Sequence, residues 1–140
     1  MYEFIQKFHS GWAYLALLLL FIAVVNSALG YLSKRQFMPK DKRIALFALV
    51  VTHIQLTVGL VLYFLSPLGL SAFDDMKNAA LRLTSLEHPL TNIIAIILIT
   101  IGWSKHKKAL EGKNKFKAIT IFYGLGLLLI LSRIPWSLWL

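Results

Sequence analysis

The sequence predicts an all-α fold, an integral membrane four-helix bundle whose helices run alternately up and down. The chain has 140 residues, of which 58% are hydrophobic, and its mean hydropathy of +0.69 is too high for an ordinary soluble domain. Four apolar stretches approach or exceed the roughly 20 residues that a helix needs to cross the hydrocarbon core of a bilayer. Because no water in that core can satisfy an open backbone, the spans are expected to be helices packed into one bundle.

The four predicted spans are separated by one long and two short connections. Aromatic and lysine side chains beside the third and fourth spans extend them, because such side chains anchor at the membrane interface. Pro67 and Gly69 are expected to end the second span, and Pro89 to start the third as a first-turn proline. A short interfacial helix is expected around residues 73–83, where leucines mix with charges. The predicted spans cover about 11–32, 43–65, 88–104 and 118–134, with an outer interfacial segment at 66–87.

The charged residues predict the orientation of the chain. The connections "SKRQFMPKDKR" and "SKHKKALEGKNKFK" are strongly basic, and the positive-inside rule places both in the cytoplasm. The segment 66–87 is less basic and is expected outside, together with both termini. This pattern predicts a multi-pass protein of the bacterial cytoplasmic (inner) membrane. Attraction of the basic connections to anionic lipid head groups is expected as a secondary effect.

Charge and cysteine content exclude several classes of function. The formal net charge of +9 does not indicate nucleic-acid binding, because the basic residues lie between apolar spans rather than on a soluble scaffold. The chain has no cysteine, which excludes disulfides, thiolate metal sites and covalent haem attachment. Any cofactor must therefore be held by His, Asp, Glu or Met.

Two helical stripes of small residues each begin with a histidine. In the first span His9 is followed, at alternating spacings of four and three, by Ala13, Ala16, Leu20, Ala23, Ser27 and Gly30. In the third span His88 is followed by Thr91 or Asn92, Ala95, Ile99 and Gly102. Such stripes let helices approach closely and should point into the bundle.

Both of these spans run from outside to inside, so His9 and His88 are expected at a similar depth near the outer surface. Two imidazoles at one depth on inward faces are what axial ligation of a haem iron requires. The alternative is that each histidine is an ordinary polar residue of the membrane interface.

The other two histidines receive different interpretations. His53 follows Arg43 by ten residues, which at 1.5 Å per residue places it about 15 Å into the membrane, near the midplane. That depth is wrong for sharing one iron with His9 or His88. It favours structural hydrogen bonding, with a proton relay or a ligand of a second metal site as alternatives. His106 lies in the lysine-rich connection and is expected to be solvated.

Two charged residues are expected beside the histidine pair. Arg133 follows the fourth span at the predicted depth of His9 and His88. It is either an anchor in an aromatic belt or a partner of a haem propionate, since guanidinium groups pair bidentately with carboxylates. Glu87 precedes His88 and is expected to orient its imidazole.

Several stretches resemble known membrane proteins. "HSGWAYLALLLL", "THIQLTVGLVLYFLSP", "EHPLTNIIAIILITIGWSK" and "LLLILSRIPW" resemble the small four-helix bacterial membrane proteins labelled cytochrome b. The first three spans are more distantly similar to one half of haem A synthase, in which a histidine opens each outer-to-inner helix and the return helix contains Gln and Gly. This resemblance implies axial ligation of haem b by His9 and His88, with Trp12 and Gln55 as further cofactor contacts. The chain lacks the Glu-x-x-His-Arg signature of that enzyme, since Glu3 lies six residues before His9.

The sequence therefore favours a haem b protein that transfers electrons to or from a quinone or a larger respiratory complex. The alternative is a cofactor-free accessory or assembly subunit that binds partner helices through its small-residue stripes. A stand-alone enzyme that modifies haem or uses a quinone is the less favoured interpretation.

Overall fold

Four long helices account for most of the structure. The computed structural model describes residues 1–139, and within them it contains helices and connections but no strand. The long helices are α1, Tyr2–Leu32; α2, Pro39–Leu65; α4, His88–Lys108; and α5, Gly112–Ser132. The short elements are a 3₁₀ turn at Leu70–Ala72, α3 at Ala79–Arg82, a π-helical turn at Leu83–Glu87, and α6 at Trp136–Trp139. The predicted four-helix bundle is confirmed.

The packing of the helices places α1 and α4 at opposite corners. Helix α1 packs against α2 and α5, and α4 packs against the same two helices. The core contains alanines, branched aliphatic residues and one tyrosine from the four helices, namely Leu20, Ala23, Ala45, Ala48, Ile96, Ile99, Ile119 and Tyr123. The buried residues of α1 are Ala16, Leu20, Ala23, Ser27 and Gly30, which are the members of the predicted stripe beyond Ala13.

The outer surface of the bundle is strongly apolar. Large side chains such as Leu18, Phe21, Phe47, Ile97 and Leu128 are exposed on its outside. Four helical stretches, Tyr2–Leu32, Pro39–Leu65, Ala79–Lys108 and Gly112–Ser132, are long and apolar enough to cross a membrane. A bundle with small residues inside and large apolar residues outside is a multi-pass membrane protein.

Helix α4 begins at His88, where the third span was predicted, but it is preceded by helical structure. The short helix expected around residues 73–83 covers only Ala79–Arg82, and it continues through the π-helical turn into α4. The start is set by Asn78, whose Oδ1 accepts hydrogen bonds from the backbone N–H groups of Ala80 and Leu81. Helical structure therefore precedes His88 by nine residues.

Pro89 lies in the first turn of α4, as predicted, but the π-helical turn before it means that helical structure continues on both sides of the proline. Proline has no N–H, so the carbonyl of Ser85 lacks the donor that position 89 would supply in an α-helix. The hydroxyl of Tyr63 donates to that carbonyl at 2.9 Å. The wider π-helical turn accommodates the proline, and the bond from Tyr63 joins the end of α2 to the turn that precedes His88.

The prediction that His106 is solvated is also wrong. Helix α4 continues to Lys108. Its buried face therefore includes His106, one turn after Gly102. Its Nδ1 donates to the carbonyl of Trp103 at 2.7 Å, and its ring packs against the side chains of Trp103 and Phe37.

Candidate functional site

His9 and His88 face each other at one end of the bundle, which we call the histidine end. Their ring centroids lie 6.4 Å apart and their planes make an angle of 80°. The two residues come from α1 and α4, the helices at opposite corners. Their side chains therefore meet across the interior of the bundle.

The His88 ring is held by the backbone at the end of α5. Its Nδ1 lies 2.9 Å from the carbonyl oxygen of Arg133. A carbonyl can only accept, so Nδ1 carries the proton and Nε2 carries the lone pair. The side-chain amide of Asn92 donates to the backbone carbonyl of His88 at 2.6 Å and lies beside the ring. This arrangement is the one that a metal-binding histidine usually has, with the second nitrogen bonded to a carbonyl.

Helix α2 supports the His9 ring. A Cβ atom built on Gly59 would lie 2.9 Å from Cε1 of His9, so the ring occupies the space that glycine leaves open. The amide of Gln55, one turn earlier, donates to the backbone carbonyl of His9 at 2.8 Å. Among the described residues, Nδ1 of His9 and Oε1 of Gln55 are buried polar atoms without a hydrogen-bond partner.

A cavity of about 300 Å³ opens beside the two rings. Its wall is mainly aliphatic, and its polar groups converge near the histidines, as in sites that bind small molecules or cofactors. It is bounded by α1, α2, α4 and the C-terminal segment. Its lining includes His9, Gln55, Gly59, His88, Asn92 and Trp139.

The C-terminal segment closes one side of this cavity. The indole N–H of Trp139 donates to the carbonyl of Ser10 at 3.1 Å, and its ring packs on Tyr14 at 4.6 Å. Pro135 and Leu138 line the cavity as well. The segment after α5 thus returns to α1 at the depth of His9.

The charged residues of the histidine end form ion pairs with one another. Glu87 lies 3.1 Å from Nε of Arg82 and 4.0 Å from Nε of Arg133. The hydrogen bond that orients the His88 ring comes from the carbonyl of Arg133 and not from Glu87. The guanidinium group of Arg133 is exposed and also donates to the carbonyl of Ser132.

Two of the sequence-predicted site residues lie away from the cavity. The indole N–H of Trp12 donates to the carbonyl of Val51 at 2.9 Å and ties α1 to α2. His53 donates from Nδ1 to the carbonyl of Leu49 at 2.7 Å, and its Nε2 lies 3.2 Å from the hydroxyl oxygen of Thr100. Both nitrogens of His53 are therefore occupied, Nδ1 within α2 and Nε2 in a contact that joins α2 to α4.

The sequence did not predict that the C-terminal segment, with Trp139, belongs to the site. No spacing in the sequence relates Trp139 to Ser10, because the two residues are 129 positions apart. Asn92 carried a weaker signal, since it lies one helical turn after His88 on the same face.

Within the described part of the chain, no further His, Asp or Glu joins the histidine pair in a three-ligand metal site. Residues 1–139 contain no group of three or more His, Asp or Glu side chains that could hold a metal ion. Comparison with protein families, curated proteins and solved structures finds no match for this chain. The function of the histidine end is therefore inferred from its geometry.

Proposed function

We propose that the chain is a haem b protein of the bacterial cytoplasmic membrane, with His9 and His88 as the axial ligands. In this proposal it transfers electrons to or from a quinone or a larger respiratory complex. The histidine end faces outside, as do both termini, and the basic connections face the cytoplasm by the positive-inside rule.

The separation of the two imidazole rings is the observation that carries the proposal. Two ring nitrogens that each lie about 2 Å from one metal ion place the ring centroids roughly 6 Å apart, and the observed separation is 6.4 Å. With only two protein ligands among the described residues, a metal held here needs further ligands from a macrocycle, as iron has in haem. The absence of cysteine makes a non-covalently bound, b-type haem the appropriate class.

The surroundings of the pair fit such a group. Nε2 of His88 carries a lone pair because Nδ1 is bonded to the Arg133 carbonyl, and Gly59 leaves room for the His9 ring. The cavity wall is mainly aliphatic, and an apolar shell of this kind tunes the redox potential of a bound group through the local dielectric. When bound, haem supplies one-electron redox chemistry.

The role of the chain is to fix two neutral imidazoles and to surround them with apolar side chains. Arg133 and Arg82 share Glu87 at the rim of the site. Either guanidinium can pair with a carboxylate at that rim, because Arg binds carboxylates bidentately. Trp139 lines the cavity, and its ring packs on Tyr14.

Visible absorption spectroscopy of the purified protein tests this function. After expression with ample haem supply, we expect a Soret band and, after dithionite reduction, a sharp α band. His9→Ala and His88→Ala should each abolish the low-spin spectrum. His53→Ala is the control, because both nitrogens of His53 are bonded elsewhere, and it should retain the spectrum.

Wild-type protein that folds without haem would overturn the proposal. That result would favour a cofactor-free accessory or assembly subunit. A spectrum that survives the loss of His9 but disappears in His53→Ala would assign the ligand to α2 instead of α1.

A further inference from the structure

A second concave site lies at the opposite end of the bundle, which we call the lysine end. It is a groove between the C-terminus of α1 and the N-terminus of α5. Its lining combines apolar and aromatic surface with three cationic side chains. The lining residues are Gly30, Tyr31, Leu32, Lys34, Arg35 and Lys113.

Close packing fixes the floor of this groove. A Cβ atom on Gly30 would lie 2.5 Å from the ring of Phe116, so α1 and α5 approach each other here as closely as glycine permits. The guanidinium group of Arg35 lies 5.1 Å from the centroid of the Phe116 ring and pairs with the buried Asp41 at 3.0 Å. The Arg35 side chain is therefore held in place by Phe116 and Asp41, and its charge is largely compensated by Asp41.

The charges of Lys34 and Lys113 are not compensated in this way. The salt bridges within residues 1–139 give neither lysine a carboxylate partner. Nζ of Lys113 lies 5.8 Å from the centroid of the Tyr31 ring, over the groove wall. The first turn of α5 has no side-chain cap. The N–H of Asn114 bonds to the carbonyl of Glu111, and the two N–H groups before it add partial positive charge beside Lys113.

The backbone at Lys34 is unusual for a residue other than glycine. Its φ angle is +56°, in the left-handed region. The N–H of Arg35 bonds to the carbonyl of Gly30, which is the helix-ending geometry that strongly favours glycine at position 34. A lysine here retains a strained backbone and places a cationic side chain at the groove, and strain of this kind is concentrated at functional positions.

We propose that this groove binds the phosphate group of an anionic phospholipid. The cationic side chains and the uncapped helix end match a phosphate in charge and in hydrogen-bonding capacity. Leu32 of the groove lining and Leu29, three residues earlier on α1, are 74% and 59% exposed, which provides an apolar surface for an acyl chain. Inorganic phosphate has no acyl chain and would leave that apolar surface uncovered.

Native mass spectrometry of the full chain in neutral detergent tests the proposal, with phosphatidylglycerol, phosphatidylcholine and inorganic phosphate as probes. The test variant is Lys34→Gly combined with Lys113→Gln. The control is Lys40→Gln combined with Lys117→Gln, which removes the same charge from exposed positions outside the groove.

We expect the wild type and the control to retain phosphatidylglycerol in preference to phosphatidylcholine. Each groove lysine should contribute about fivefold in apparent affinity, so the test variant should lose roughly 25-fold. Lys34→Gly alone should bind more weakly while melting at a higher temperature, because glycine relieves the strained backbone. That combination separates loss of binding from loss of folding.

Three results would overturn the proposal. Equal loss in the test and control variants would indicate diffuse attraction rather than a site. Unchanged lipid retention in the test variant would exclude the groove. Inorganic phosphate that competes as strongly as phosphatidylglycerol would assign the groove to a soluble anion.

Discussion

The imidazole rings of His9 and His88 lie 6.4 Å apart although their helices stand at opposite corners of the bundle. Helix α2 contributes Gly59, whose missing side chain leaves the space that the His9 ring occupies. Arg133, at the end of α5, holds the other side of His88 with its carbonyl. Each of the four long helices thus contributes to the position of one pair of rings.

Gly59→Ala is expected to displace His9 and weaken haem binding. The added methyl group would lie 2.9 Å from Cε1 of His9, so the ring must move. Supporting residues of metal ligands typically contribute at least 10-fold in affinity, and we expect roughly that loss in a haem titration followed at the Soret band. Gly11→Ala is the matched control, because a Cβ there meets nothing within 4 Å. Equal binding by both variants would contradict the role assigned to Gly59.

Tyr63→Phe is expected to destabilise the π-helical turn before His88. The substitution removes the hydroxyl that donates to the carbonyl of Ser85, whose usual partner is missing because of Pro89. We expect a loss of about 1 kcal/mol in the free energy of unfolding. Thermal unfolding in detergent measures it, with the exposed Tyr14→Phe as the control. No difference between the two variants would show that the turn does not need this bond.

Asp41→Asn is expected to be one of the most destabilising single changes at the lysine end. Asp41 is buried and accepts hydrogen bonds from Arg35, from Asn26 and from the backbone N–H of Met38. Neutralising it leaves Arg35 without its counter-ion, at a cost of about 3 kcal/mol. Asp74→Asn, at an exposed position, should leave the unfolding temperature unchanged. A similar stability for both variants would exclude a structural role for the ion pair.

Gly126→Ala and Gly124→Ala should have opposite effects on stability. A Cβ atom on Gly126 would lie 2.7 Å from Cγ1 of Ile99, so alanine there forces α4 and α5 apart, at a cost of about 1–3 kcal/mol. A Cβ atom on Gly124 meets only Cγ1 of Val24, at an ordinary 3.9 Å. Alanine at 124 should stabilise α5 through its higher helix propensity. Unfolding of the two variants under identical detergent conditions checks the contrast.

The small-residue stripes were predictable because helical periodicity is a local property. Spacings of three and four identify one face of a helix whatever it packs against, and Ala16, Leu20, Ala23, Ser27 and Gly30 are buried in the structure. The same logic failed for His106, because its interpretation depended on where α4 ends. A lysine-rich stretch suggested a loop, whereas the helix continues to Lys108 and buries the ring.

The four-helix membrane architecture follows from composition and periodicity, since a chain this apolar must satisfy its backbone within helices. The hydrogen bonds around the two histidines could be identified only from the tertiary structure. The hydrogen bonds from His88 to Arg133, from Gln55 to His9 and from Trp139 to Ser10 join residues 45, 46 and 129 positions apart. Such contacts depend on which helices become neighbours and in what rotation, and a hydrophobic pattern constrains neither. The sequence thus placed two histidines on inward stripes, and the packing of α2 and α5 around them decided that the rings face each other.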